Sequence, residues 1–115
     1  MQVVLFVFNG DPVCFLHVLL NAFDLKDRGY EVEIVMEGSA CKLVKALDEQ
    51  NDPPVAPLYR KAKEAGLIGL VCKACANKMG SLDSAVAQGL TLGEDMSGHP
   101  SIGQYLADGY RVITF

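Results

Sequence analysis

Residues 3–8 read Val-Val-Leu-Phe-Val-Phe, an apolar run with no polar interruption. A strand that is apolar at every position is buried on both faces, as in a parallel sheet covered by helices. Asn9-Gly10-Asp11-Pro12 ends the run, with Asp11 suited to cap a helix and Pro12 to occupy its first position. Leu16, Leu19, Leu20 and Phe23 then recur at helical spacing, and Gly29 closes that segment. Tyr30 to Met36 alternates more cleanly, which predicts a second, less buried and more lateral strand. After the Glu37-Gly38-Ser39 turn, Ser39 is placed to cap a helix carrying Leu43, Val44 and Leu47.

The three prolines between Gln50 and Pro57 predict a loop, followed by a short helix from Leu58 to Ala65. Leu67 to Val71 is the third strand. A short helix is expected within Cys72–Met79, and another, capped by Ser81, from Leu82 to Gln88. Leu90-Thr91-Leu92 is a minimal fourth strand. Pro100 opens a helix with Ile102, Tyr105 and Leu106, and Tyr110 to Phe115 is the last strand. This alternation predicts one α/β domain over 1–115. Its architecture is a three-layer, open, mostly parallel sheet of four or five strands with helices on both faces, in a flavodoxin-like arrangement. Function in such sheets sits beyond the carboxyl ends of the strands.

Composition narrows the classes. Half of the 115 residues are hydrophobic and the formal net charge is −4, without a basic stripe, so nucleic acid is not an expected partner. The apolar run at Val3–Phe8 is too short to span a bilayer, so no membrane association is expected. Met1-Gln2 leads into it without a basic segment or a cleavage site, which predicts no signal peptide and a cytoplasmic location. In the cytoplasm thiols stay reduced, so four cysteines point to reactivity or metal binding before a disulfide framework.

All four cysteines map to the carboxyl edge of the predicted sheet. Cys14 and Cys41 lie in the first turns of the helices after the first two strands, Cys72 ends the third strand, and Cys75 follows by three. Unpaired N–H groups at such helix starts favour a thiolate and predict lowered thiol pKa values. Packing is the competing reading, and it is strongest for Cys14, beside Phe15 and Leu16. Cys72 and Cys75 are the candidate reactive pair, with Asn9, Asp11, Cys41 and His99 as candidate lining residues. His17, Lys73 and Lys78 are weaker candidates with ordinary surface roles as alternatives. No Gly-rich dinucleotide or phosphate loop is present, and no cofactor is expected. No metal ligands are assigned. A metal-binding or thiol-redox module using Cys72, Cys75 and Cys41 or Cys14 stands as the alternative, as does a non-catalytic oligomeric subunit.

Several pieces together resemble one family. They are Val3–Phe8, the Met36-Glu37-Gly38 turn, Leu70-Val71-Cys72 with Gly80 eight residues on, and Gly109-Tyr110-Arg111-Val112. Over nearly the whole chain they resemble the DsrE/DsrF-like family of sulfur-relay proteins, although many members have arginine where this chain has Met79. The resemblance implies a persulfide carried on Cys72, with Cys75 matching a second cysteine of some members. It also implies a sulfurtransferase or sulfur-carrier role, with sulfur donor and acceptor proteins or small thiols as partners. A homo-oligomer, trimer or hexamer, is implied as well.

Overall fold

A computed structural model describes all residues, Met1–Phe115. Five strands form one sheet: β1 (Gln2–Val7), β2 (Glu31–Met36), β3 (Ile68–Cys72), β4 (Leu92–Gly93) and β5 (Arg111–Thr114). Their order is β4-β3-β2-β1-β5, and every neighbouring pair is parallel. The helices are α1 (Pro12–Asp27), α2 (Lys42–Glu49), α3 (Val55–Glu64), α4 (Lys73–Lys78), α5 (Leu82–Ala87) and α6 (Ile102–Ala107). The chain is therefore the α/β sheet that its alternation predicts.

The strand order decides where the helices go. From β1 to β4 every step runs in one direction, so right-handed crossovers stack α1 to α5 on a single face. The return from β4 to β5 runs the other way and puts α6 on the opposite face. The two faces are unequal as a result. Beneath α1–α5 lies a core of 23 buried residues, including Leu5, Val7, Phe15, Leu19, Ile34, Met36, Tyr59 and Val71. The α6 face buries only Val4, Phe6 and Val35, with Ile102 and Tyr105 packed against them. Each of the larger buried side chains contributes about 1.5–3 kcal/mol.

The alternation of β2 has a different cause from the one expected. β2 is the central strand, not a lateral one. Its last three residues are fully buried, whereas Glu33 faces a groove lined by Tyr105 and Tyr110 on the thinly covered side. Polar alternation here records a thin layer, not an edge.

Local signals also shift. α3 starts at Val55, ahead of the expected Leu58, because Pro57 falls in its first turn, where a missing N–H breaks no helical bond. Ser39 does not cap α2. It lies in a 3-10 turn, Gly38–Cys41, where its Oγ donates to Phe8 O at 3.1 Å and accepts from Gly10 N–H at 3.0 Å. Ser81 makes no cap to α5, and its buried Oγ has no partner. Pro100 packs on Gly93 instead of opening α6, which Ser101 caps by accepting from Gln104 N–H at 3.1 Å. No helix is long and apolar enough to cross a membrane.

Candidate functional site

The parallel register builds the site. Met36 pairs with Val71, so the next residues, Glu37 and Cys72, leave adjacent strands side by side. Cys72 also pairs with Gly93 of β4, so the chain after β4 returns over the same point. There it makes a tight turn, Met96-Ser97-Gly98-His99. Met96 N–H donates to His99 O at 2.8 Å, and His99 N–H to Met96 O at 3.0 Å. Both central residues have positive φ, 51° at Ser97 and 89° at Gly98, as a type I′ turn requires. Gly98 is needed twice over, because a Cβ there would also stand 3.2 Å from the Ala74 side chain. Ala74 N–H donates to Gly98 O at 3.0 Å and ties the turn to α4.

Four side chains from three strand ends then converge. His99 Nδ1 lies 3.1 Å from Cys72 Sγ, 3.8 Å from Cys75 Sγ and 3.6 Å from Glu37 Oε1. Cys72 is the cap residue of α4, and its Sγ accepts from Cys75 N–H at 3.4 Å. Cys72 and Glu37 are buried, whereas Cys75 and His99 are half-buried and connect the cluster to the outside. A groove of about 390 Å³ runs beside it, lined by Lys73, Ala74, Asn77, Leu82, Glu94 and Gly98.

Two of the thiols, Cys72 and Cys41, are raised in pKa, opposite to what a helix-start position predicts. Burial pushes the Cys72 thiol up to about 12, although the Cys75 N–H pulls it down, and nearby Cys75 and Glu37 add to the rise. Burial also pushes Cys41 up, followed by the neighbouring Cys75 and Cys72. Desolvation of a charged sulfur outweighs the pull of helix-start N–H groups. A Cys72 thiolate therefore needs a partner that removes its proton, and His99 Nδ1 is within reach.

The remaining candidates fall outside the four-residue cluster. Cys41 borders it from within, its thiol donating to Met36 O at 3.4 Å, with Cys72 O at 4.0 Å. Cys14 is half-buried in the first turn of α1, with His17 exposed one turn on. Asn9 Oδ1 accepts from Asp11 N–H at 2.8 Å, and Asp11 Oδ1 from Val13 N–H at 2.9 Å, so both serve the turn and the α1 cap. Lys73 is exposed and pairs with Glu94 at 3.3 Å; Lys78 is exposed in the last turn of α4. In the sequence Glu37 stands out only as part of the Met36-Glu37-Gly38 turn and not as a candidate site residue. Its signal is positional: it directly follows a strand that neighbours the one ending in Cys72.

The model of the DsrE/DsrF-like family matches residues 2–115. An uncharacterized protein of Methanocaldococcus jannaschii is 38% identical over 98 residues, covering 85% of this chain and 77% of the relative. An uncharacterized protein of Archaeoglobus fulgidus is 41% identical over 39 residues, 34% of this chain and 64% of that one. Among solved structures, a conserved protein of unknown function from Bacteroides thetaiotaomicron superposes with a TM-score of 0.73 at 19% identity. That match covers 99% of this chain and 94% of the other, and it speaks to the fold alone.

Proposed function

The chain belongs to the DsrE/DsrF-like family, and from that premise we propose that it is a sulfur-relay protein carrying persulfide sulfur on Cys72. The observation that carries the reading is the 3.1 Å approach of His99 Nδ1 to Cys72 Sγ. A buried thiol with a raised pKa is a poor nucleophile alone, and a positioned imidazole gives it a base. His99 Nδ1 takes the Cys72 proton, and the nearby Glu37 carboxylate stabilises the resulting imidazolium.

The Cys72 thiolate attacks the outer sulfur of a donor persulfide, R–S–SH. A new S–S bond forms as the old one breaks, leaving Cys72–S–SH and R–SH once the proton is returned. An acceptor thiol R′–SH then takes the outer sulfur in the same way and leaves as R′–S–SH, restoring the Cys72 thiol. Without an acceptor, Cys75 attacks the inner sulfur, forming a Cys72–Cys75 disulfide and releasing hydrogen sulfide. The turn bearing His99 covers Cys72, with Gly98 O 3.6 Å from its Sγ, so a donor first meets half-buried Cys75 and the adjoining groove.

Partners under this reading are donor and acceptor thiols, protein-borne or small, and further copies of the chain. An oligomer has surface available at edge strand β5, where Ile113 is exposed, and on α6, where Leu106 is exposed. The test is peptide mass spectrometry of the reduced protein after incubation with polysulfide. The expected product is one added sulfur, about 32 Da, on the peptide holding Cys72. Adducts confined to Cys14 or Cys41 would overturn the assignment.

A further inference from the structure

We propose that the reduced site also binds one thiophilic divalent cation of the zinc class, through Cys72 Sγ, Cys75 Sγ, His99 Nδ1 and Glu37 Oε1. The argument rests on convergence. In a Cys–His–acid catalytic triad the imidazole uses its two nitrogens separately, one toward the thiol and one toward the carboxylate. Here the same nitrogen, Nδ1, faces both Cys72 and Glu37, and Cys75 as well. One nitrogen carries at most one proton, so it cannot bridge two sulfurs and a carboxylate by hydrogen bonds. A cation placed among the four donors satisfies all of them at once.

The spacing fits. Metal–sulfur distances near 2.3 Å and metal–nitrogen or metal–oxygen distances of about 2.0–2.2 Å, arranged tetrahedrally, place donor atoms about 3.3–3.8 Å apart. Of the His99 Nδ1 separations, 3.8 and 3.6 Å fall in this range and 3.1 Å lies just below it. All four donor atoms lie within 4.8 Å of one another. Two thiolates and an imidazole select zinc or its neighbours over calcium or magnesium, which prefer all-oxygen shells. Four side-chain ligands complete a tetrahedron and leave no position for an activated water. The ion would thus hold the thiols closed instead of hydrolysing a substrate. On binding, the two thiols each release a proton to solvent as two metal–sulfur bonds form. This differs from a site built on Cys41 or Cys14: Cys41 Sγ hydrogen-bonds to backbone carbonyls, and Cys14 is outside the group.

The experiment is titration of the reduced, metal-free full-length protein with Co²⁺, followed by competition with Zn²⁺. The expected result is one ion per chain, with a thiolate-to-cobalt charge-transfer band and the visible bands of tetrahedral cobalt, displaced by zinc. Cys75→Ser should remove about half of the charge-transfer intensity, because one of two thiolates is lost. His99→Ala should weaken binding on the order of tenfold or more. Both positions are half-exposed, so the variants are expected to fold, and far-ultraviolet circular dichroism verifies it. Cys14→Ser should bind as the parent does. Absence of a thiolate band in the parent overturns the proposal. So does a band that folded Cys75→Ser and His99→Ala leave unchanged. Sulfur carriage is scored separately, by mass on metal-free protein, so either reading can fail while the other stands.

Discussion

The loops that follow β1 and β3 leave the same edge of the same sheet, and each carries a cysteine near a helix start, yet only one is built as a site. After β1, the polar groups are consumed locally: Asn9 accepts from Asp11, Asp11 caps α1, and Gly10 N–H is held by Ser39 Oγ. Cys14 is left on a helix with no partner from another strand end. After β3, the capping atom is the sulfur of Cys72 itself, and groups from the ends of β2 and β4 reach it. The difference is one of neighbours. β3 has adjacent strands on both sides whose following residues, Glu37 and the His99 turn, project side chains back toward it. β1 pairs with β2 and β5, and the turn after β2 meets it through Ser39, whose hydroxyl is spent on Phe8 O and Gly10 N–H. Under the proposed function, converging loops and not proximity to a helix start alone distinguish the thiol that carries sulfur.

The largest expected effect tests that contrast directly. Cys72→Ala should abolish the added sulfur on the Cys72-bearing peptide and stop transfer to an acceptor thiol. Cys14→Ala should leave both unchanged in the same polysulfide assay. Equal loss in the two variants would erase the distinction between the loops. Next comes His99→Ala, which removes the base while keeping the thiol. The rate of sulfur loading should fall roughly 10²-fold, the lower range for a positioned general base. Stopped-flow or quenched mass measurements would read it, and an unchanged rate would show that Cys72 is activated without His99.

How much of this was legible in the sequence depends on whether a feature is local. β1 was readable because Val3–Phe8 is apolar at every position, and α1 because Asp11-Pro12 and Gly29 bracket it. The centrality of β2 was not, because Glu31 and Glu33 mark a thin helical layer and give no information on strand order. At the site, Cys72, Cys75 and His99 stood out by residue type and by position near strand ends. Glu37 did not, since an acidic residue before glycine is an ordinary turn residue until the Met36–Val71 register places it beside Cys72. The raised pKa of Cys72 and of Cys41 is hidden from the sequence for a related reason. Helix starts are visible in a sequence, whereas the depth of burial that overrides them is a property of the assembled fold.

Smaller effects concern the β1 loop, where stability and not chemistry should respond. A Cβ on Gly10 would stand 2.6 Å from Ser39 O and 2.7 Å from Lys42 Cε. The lysine can move, but the backbone carbonyl of the 3-10 turn is held by its own packing. Gly10→Ala should therefore cost about 1–3 kcal/mol, in the range of other overpacked sites. It should lower the urea midpoint at constant slope and leave sulfur loading of the folded protein intact. If loading collapsed while the protein remained folded, the β1 loop would be part of the site after all.

Asp11→Ala gives the smallest effect and the finest distinction. The Asp11 carboxylate accepts from Val13 N–H at 2.9 Å at the start of a sixteen-residue helix. Its removal should cost about 1 kcal/mol, the usual value of a lost cap. Asp11→Asn keeps an acceptor oxygen at the same place but removes the charge. The part of the loss due to the hydrogen bond should then return. The part due to the favourable charge at a helix start, about 0.3–1 kcal/mol, should not. If the cap is the whole role of Asp11, both variants load sulfur at the parent rate and rank in stability as parent, then asparagine, then alanine. A drop in loading that tracks charge, falling equally in both variants, would instead mean that the Asp11 carboxylate acts on Cys72 through space. Asp11 would then join Glu37 as part of the field around the thiol.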